Sequence, residues 1–422
     1  MREVAEAALA AHASPQDPRA PDLLLDGLVL LIAEGYAAGA PTLRSALSAF
    51  RSEEISREEG LRWLGVACHA AGLLWDYENW ELLSARLVQL ARDGGALSVL
   101  PIALNTRAGV HLFAGELAVA ASLAEEVNAV TKATGSSIAP YGALALVAFR
   151  GQEAEASELI EAATEEVVRR GEGQGLTFVQ WATALFYNGL GRYEDALTAA
   201  QQAAEDSHEQ RFRNWGLVEL IEAATRSGKA ERAADTLERL SETTRADGSD
   251  WALGIEARSR ALLSDREAAE NFYREAIDRL GRTRLRVDLA RARLLYGEWL
   301  RRERRRLDAR EQLRRAHELF TKFGMEAFAE RARVELEATG EHARKRTVDT
   351  RDDLTPQEAQ ISRLAAEGAT NREIAAQLFI SASTVDYHLR KAFRKLGVKS
   401  RTQLARRLLQ PGARAEPAAQ KA

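Results

Sequence analysis

LTPQEAQISRLAAEGATNREIAAQLFISASTVDYHLRKAFRKLGVKSRTQLARRLL, residues 354–409, carries the most complete local signals in the chain. Thr355-Pro356-Gln357-Glu358 is a capping box with proline at the first helical position, and Gly368 stops the helix it opens. Thr370-Asn371-Arg372-Glu373 is a second capping box, for a helix running to about Leu378. Ser381 caps a third helix that Gly397 ends, and Ser400-Arg401-Thr402-Gln403 opens a fourth. The two central helices are joined by a turn at Phe379–Ser381. A short helix, a tight turn and a longer basic helix predict a helix-turn-helix.

At 100° per residue, Val385, Leu389, Ala392 and Leu396 line one stripe of the third helix and belong in a core. Ile374, Ala375 and Leu378 from the second helix, with Ile361 and Leu364 from the first, are placed to meet it. The opposite face presents Ser383, Tyr387, Arg390, Lys391 and Arg394, a polar, basic surface with one aromatic that suits a major groove. Thr384 and His388 lie on its flank. Lys395, Lys399, Arg401 and Arg406 extend the positive field and are placed to neutralise phosphates. Residues 387–410 hold eight Lys/Arg and no acid. Residues 352–410 carry a net charge of +4, whereas residues 1–351 carry −9. That asymmetry predicts a polyanionic partner at one end only.

The stretch resembles the LuxR-type DNA-binding domain. The matching residues are Leu354-Thr355-Pro356, Glu358, Gly368, Asn371, Glu373-Ile374-Ala375, Leu378, Ile380-Ser381, Thr384-Val385, His388, Leu396-Gly397-Val398 and Ser400-Arg401-Thr402. The resemblance implies a helix-turn-helix at about 371–390 whose third helix enters the major groove of double-stranded DNA. It implies that positions 386, 387 and 390 are the most used for contact, and that the chain acts as a homodimer on DNA. The DNA-binding residues expected are Ser383, Thr384, Asp386, Tyr387, Arg390, Lys391, Arg394, Lys395, Lys399 and Arg401. Asp386 departs from the pattern, since many members carry lysine there. It either accepts a hydrogen bond from a cytosine amino group or simply faces the helix dipole.

Upstream, a turn residue followed five positions later by alanine recurs at Gly115–Ala120, Gly151–Ala156, Gly191–Ala196 and Gly228–Ala233, with degenerate copies at Ser264–Ala269 and Arg304–Ala309. The spacings are 36, 40, 37, 36 and 40 residues, and an earlier copy begins at Asp76. Glycine allows the positive φ that reverses the chain, and alanine lets two helices approach closely. A lone hairpin cannot bury its apolar face, so such units stack into a solenoid. The pattern resembles tetratricopeptide (TPR) repeats with a longer, looser period. The expectation is an all-α chain: a TPR-like sensor or interaction domain at 1–340, a linker at 341–353, the helix-turn-helix domain at 354–410 and a disordered tail at 411–422. A plain helical spacer is the alternative reading of the repeats. The stretch SPQDPRAPD, at 14–22, reads as a loop, and 22–50 as two further helices.

The arrangement also resembles the C-terminal part of the large ATP-binding regulators of the LuxR family. No G-x-x-x-x-G-K-[ST] occurs in the chain, so ATP control is not expected. Gly171-Glu-Gly-Gln-Gly175 follows no predicted strand and reads as an inter-repeat loop. The run Arg301–Arg306 falls at a repeat turn and reads as solvated surface. Among 422 residues there are 9 Pro, 29 Gly and a single cysteine, which suits helix and excludes a disulfide framework. Cys68 sits in an apolar helix and reads as structural, and the seven histidines show no metal-ligand spacing. Glu3 and Glu6 stand where a signal peptide wants positive charge. The expectation is a cytoplasmic, nucleoid-associated bacterial regulator, not an enzyme, with no cofactor or metal and no membrane. A protein or small-molecule effector would occupy the repeats, with RNA polymerase a further candidate partner. The rival readings are a TPR-like interaction scaffold and a half-regulator dependent on a separate ATPase chain.

Overall fold

Each of the six repeat markers falls in the turn of a helical hairpin, and Ala120, Ala156, Ala196, Ala233, Ala269 and Ala309 are all 0% exposed. The computed structural model describes residues 2–11, 18–52, 55–135, 138–205, 210–340, 354, 356–378, 381–398 and 400–409. Among these there are 22 helices and no strand. The chain divides into two compact units, Met1–His342 and Ala343–Ala422. The expected linker (341–353) and tail (411–422) lie outside the described residues.

In the first unit, α1 (Arg2–Ala11) precedes eight hairpins. They are α2 (Ala20–Glu34) with α3 (Tyr36–Ser52), α4 (Arg57–Leu73) with α5 (Tyr77–Asp93), α6 (Leu100–Ala114) with α7 (Leu117–Thr134), and α8 (Tyr141–Arg150) with α9 (Glu153–Arg170). Next come α10 (Gly173–Leu190) with α11 (Tyr193–Glu205), α12 (Gln210–Arg226) with α13 (Ala230–Asp247), α14 (Asp250–Leu263) with α15 (Arg266–Gly281), and α16 (Arg286–Arg302) with α17 (Arg306–Phe323). A single helix, α18 (Glu326–Ala338), packs on α17 and α10.

The four glycine markers take φ of +72° to +80°, the left-handed turn the repeat requires. Trp75 and Arg304 make the same turn without glycine, at φ +56° and +62°. The Ser264 copy differs: Ser264 is extended and the positive φ falls on Arg266. Two loop expectations are corrected. α2 already begins at Ala20, because Pro21 fits a first helical turn and Asp22 accepts from the Arg19 backbone N–H; residues 12–17 of that region lie outside the described residues. Gly171-Glu-Gly-Gln-Gly175 is not a loop either. Gly171 ends α9 in the left-handed conformation, and Gly173 opens α10 directly. A Cβ at Gly175 would lie 2.4 Å from the Tyr141 hydroxyl, so this glycine serves close packing.

The stack coils back on itself within four or five hairpins: α3 meets α13, α4 meets α12 and α6 meets α16. Arg44 pairs with Asp247 at 3.1 Å across the α3–α13 contact, and Arg284, just before α16, pairs with Glu81 of α5. The coiling brings five of the seven tryptophans, Trp75, Trp80, Trp181, Trp215 and Trp251, together around Phe113. Each such ring removes about 150–250 Å² from water, an upper bound of about 4–6 kcal/mol. Beside them lies a buried ionic network. Arg291 donates to Glu219 at 2.6 and 2.8 Å and to Glu222 at 2.8 Å. Arg331 donates to Glu222 at 2.7 Å, to Glu298 at 2.8 Å and to the Asn188 carbonyl at 2.9 Å. α10, α12, α16 and α18 are thereby clamped by charges that are stable only while all are paired.

The second unit contains α19 (Pro356–Ala366), α20 (Asn371–Gln377), α21 (Ala382–Leu396) and α22 (Arg401–Leu409). Its core is Ile361, Ala365, Ile374, Ala375, Val385, Leu389 and Leu404. The expected stripe of α21 faces this core, with Leu396 at its edge. Among the described residues no helix is long and apolar enough to cross a membrane.

Candidate nucleic-acid interface

Two N-caps and one stop hold the central helices of the second unit. Thr370 Oγ1 accepts from the Glu373 N–H at 3.3 Å, while Glu373 accepts from the Thr370 N–H at 2.7 Å. These hydrogen bonds hold the Glu373 carboxyl below its usual range. Ser381 Oγ accepts from the Thr384 N–H at 3.0 Å and lies 2.7 Å from the hydroxyls of Ser383 and Thr384. Gly397 ends α21 at φ +65°. Ser400 Oγ accepts from the Gln403 N–H at 3.2 Å, starting α22. The capping reading of Thr355, the turn residues Phe379 and Ile380, the phosphate role of Lys399 and the Arg406 side chain lie outside the described residues.

With Val385, Leu389 and Ala392 buried, the far side of α21 is turned to solvent over an arc of about 140°. Ser383, Tyr387, Arg390 and Arg394 are exposed there. Tyr387 is 54% exposed, and the Lys391 ammonium stands 4.6 Å over its ring. Asp386 pairs with Arg390 at 2.8 Å across one helical turn. Thr384 and His388 are half-buried on the flank, as their helical positions require. Lys395 and Arg401, expected among the phosphate contacts, are drawn into contacts within the unit. Lys395 Nζ donates to the buried Glu358 carboxylate at 2.5 Å. Arg401 donates to the Ala369 carbonyl and to Asn371 Oδ1. Both tie α19 or the start of α20 to the last two helices. The resulting surface is a convex, basic helix face with one planar ring, of a width that fits a major groove.

Residues 352–408 match the family described as bacterial regulatory proteins, luxR family. Over 59 residues the chain is 44% identical to the spore germination protein GerE of Bacillus subtilis, a match covering 14% of this chain and 80% of that protein. The chain belongs to the luxR family of bacterial regulatory proteins. Its four-helix unit is a LuxR-type DNA-binding unit. A Mycobacterium bovis protein named as an HTH-type transcriptional regulator, Mb0914c, is 42% identical over 78 residues, which is 18% of this chain and 8% of the relative. The monoamine regulon transcriptional regulator of Klebsiella aerogenes is 48% identical over 60 residues, 14% of this chain and 26% of the relative. The chain thus matches only 8% of the length of its mycobacterial relatives.

One candidate site in this LuxR-family chain escapes sequence reasoning. A cleft of about 750 Å³ opens in the first unit, walled by α4, α6, α8, α10 and α12, with Trp80 of α5 and Arg170 of α9. Trp80, Phe113, Phe178, Trp181, Phe212 and Trp215 give it aromatic walls. His69 lies in the wall, where burial and then the Arg211 charge push its imidazole down to about 3, so it is neutral. Cys68 is fully buried, and burial pushes its thiol up to about 12, against nearby Arg211 and Arg107, so no reactive thiolate forms. The available signal was the tryptophan spacing: Trp181, Trp215 and Trp251 lie 34 and 36 residues apart, close to the repeat period.

Proposed function

We propose that this protein regulates transcription by reading a DNA operator through the solvent face of α21, as a homodimer, under control of an effector held by its helical hairpins. The observation that carries the reading is the α21 face itself, with exposed Tyr387, Arg390 and Arg394 set opposite a packed core. Ser383, Thr384, Asp386, Tyr387, Arg390 and Lys391 are assigned to the groove, and Arg394 to its phosphate edge. Lys399 is assigned to the phosphates from sequence alone. Lys395 and Arg401 act first as braces, holding α21 and α22 against α19 and α20. The names of the relatives favour regulation over catalysis; a protein that reads an operator acts in the cytoplasm, on the chromosome. We assign residues 1–340 to sensing, 354–410 to DNA and the residues between to a linker.

The test is selection of binding sequences from genomic fragments by the purified chain. Enrichment of a palindromic element with two half-sites supports an operator-binding dimer. Retention of fragments without sequence preference refutes it in favour of an interaction scaffold. Selective binding only after a second, ATPase chain is added would establish the half-regulator instead.

A further inference from the structure

The polar groups along the cleft of the first unit are spent on one another. Among the described residues that line it, Glu172 accepts from the Tyr141 hydroxyl and pairs with Arg170 Nε at 2.7 Å. Arg170 also stands 3.7 Å from Glu166. His69 is neutral, and its Nδ1 lies 3.3 Å from Gln174 Nε2. Asn105 Oδ1 accepts from the Gly142 N–H at 3.0 Å. The Arg211 guanidinium is stacked on Trp80, Phe212 and Trp215, at 4.7, 5.0 and 4.8 Å from their centroids, and it is engaged beyond those rings. Each charged group of the described lining is thus already held. A charged guest would give up its water without a counter-charge kept for it, which costs far more than the entry of a neutral one.

What the cleft leaves open is apolar and aromatic. Val66 and Ile102 are exposed at its rim, and Phe212 and Tyr141 are half-buried in its wall. Four lining rings follow one another edge to face. His69 meets Phe212 at 6.2 Å and 84°, Phe212 meets Phe178 at 4.9 Å and 73°, and Phe178 meets Tyr141 at 5.2 Å and 80°. Rings meet this way because the negative face of one attracts the positive edge of the next, so a further aromatic ring extends the array better than a saturated one. The volume lies in the range of sites that enclose small molecules.

We propose that this cleft binds a small, uncharged aromatic molecule, which adds its ring to the Phe212–Phe178–Tyr141 array. The assignment rests on the reading that the hairpin unit holds an effector, and it names that effector's chemical class. Two of the walls, α10 and α12, are tied to α18 by Arg331, through the Asn188 carbonyl and Glu222.

The test is calorimetric titration of the full chain with two probe series. One is phenol, benzoate, benzylammonium and cyclohexanol; the other is 2-naphthol, 2-naphthoate, 2-naphthylmethylammonium and decahydro-2-naphthol. In at least one series the neutral aromatic is expected to bind about tenfold or more tighter than both ions, and about twofold or more tighter than the saturated alcohol. Thr106→Phe and Gly173→Leu place bulk at two lining positions, the second where a Cβ meets nothing within 4 Å, and each is expected to weaken binding about fivefold or more with an unchanged circular dichroism spectrum. Should one variant fail to fold, the other decides; should both fail, the order of affinities in the parent chain decides. No binding of either neutral aromatic at millimolar concentration, an ion or the saturated alcohol binding as tightly, or binding untouched by both folded variants overturns the proposal. Operator affinity measured with and without the bound aromatic separates the two readings. A change supports both, whereas binding with operator affinity unchanged keeps the site and overturns its sensing role.

Discussion

Arg390→Ala is expected to weaken binding to the operator well beyond its effect on random duplex. In the free protein the Arg390 side chain is 77% exposed and is held by Asp386, itself 47% exposed, at 2.8 Å. An exposed pair at this spacing is worth about 0.3–0.5 kcal/mol, so freeing the guanidinium for a base costs about twofold in affinity. A bidentate contact to guanine returns about 1–3 kcal/mol. The difference leaves about 0.5–2.5 kcal/mol, or about 2- to 70-fold, to be lost at the operator. Random DNA should lose much less, and the salt dependence should change little if the contact is to a base. Asp386→Asn releases the same guanidinium and is expected to raise affinity by up to about twofold. The assay is fluorescence anisotropy with the selected operator and a scrambled duplex at several salt concentrations. Equal weakening of both duplexes by Arg390→Ala would refute the assignment of the reading face and shift it to Tyr387 or Asp386. A loss of operator affinity in Asp386→Asn, with random DNA unaffected, would make Asp386 a base contact in its own right.

A fragment of residues 345–415 is expected to fold and to shift duplex DNA, because its helices carry their own core; an unfolded circular dichroism spectrum would place the boundary elsewhere. Glu222→Ala leaves the buried Arg291 and Arg331 short of a partner and is expected to cost about 3–5 kcal/mol in urea unfolding, with a loss below about 1 kcal/mol counting against the network. Burial raises the Glu222 carboxyl, but Arg291, Arg331 and Arg226 outweigh it and hold the group well below its usual value of 4.5. Its contribution is therefore complete above about pH 4.5 and is lost as pH falls below it, so urea midpoints should drop on acidification and drop less in Glu222→Gln. Micromolar ATP binding by calorimetry is not expected and would contradict the reading of the missing phosphate loop.

What the sequence revealed was local. The Thr370–Glu373 box, the Ser381 cap and the Gly397 stop join groups within four residues, so residue type and spacing decide them before any tertiary contact forms. The Val385–Leu389–Ala392 stripe follows from helical periodicity alone. The hairpin markers are equally short-range. Where the local rule weakened, at Ser264 and at Gly171–Gly175, the reading slipped by a turn.

Partners far apart in sequence were not legible. Glu358 with Lys395, and Asn371 with Arg401, lie 37 and 30 residues apart, and only the packing of α19 to α22 shows that these cations act within the unit. The charge pattern placed all the basic residues in one field because net charge is blind to direction. The cleft is the larger case. The repeat markers imply stacked hairpins, and α2 to α17 form eight of them, since each hairpin must bury its own apolar face. How tightly the stack coils depends on small rotations between neighbours, which accumulate over several hairpins and leave no mark in any one repeat. That coiling sets α4 against α12 and Arg211 against Trp80, 131 positions away in sequence. The sequence by itself determined the helices, their caps and the polar, basic face of α21; the tertiary structure alone decided which inner helices meet, and so created an aromatic cleft from residues that no local rule connects.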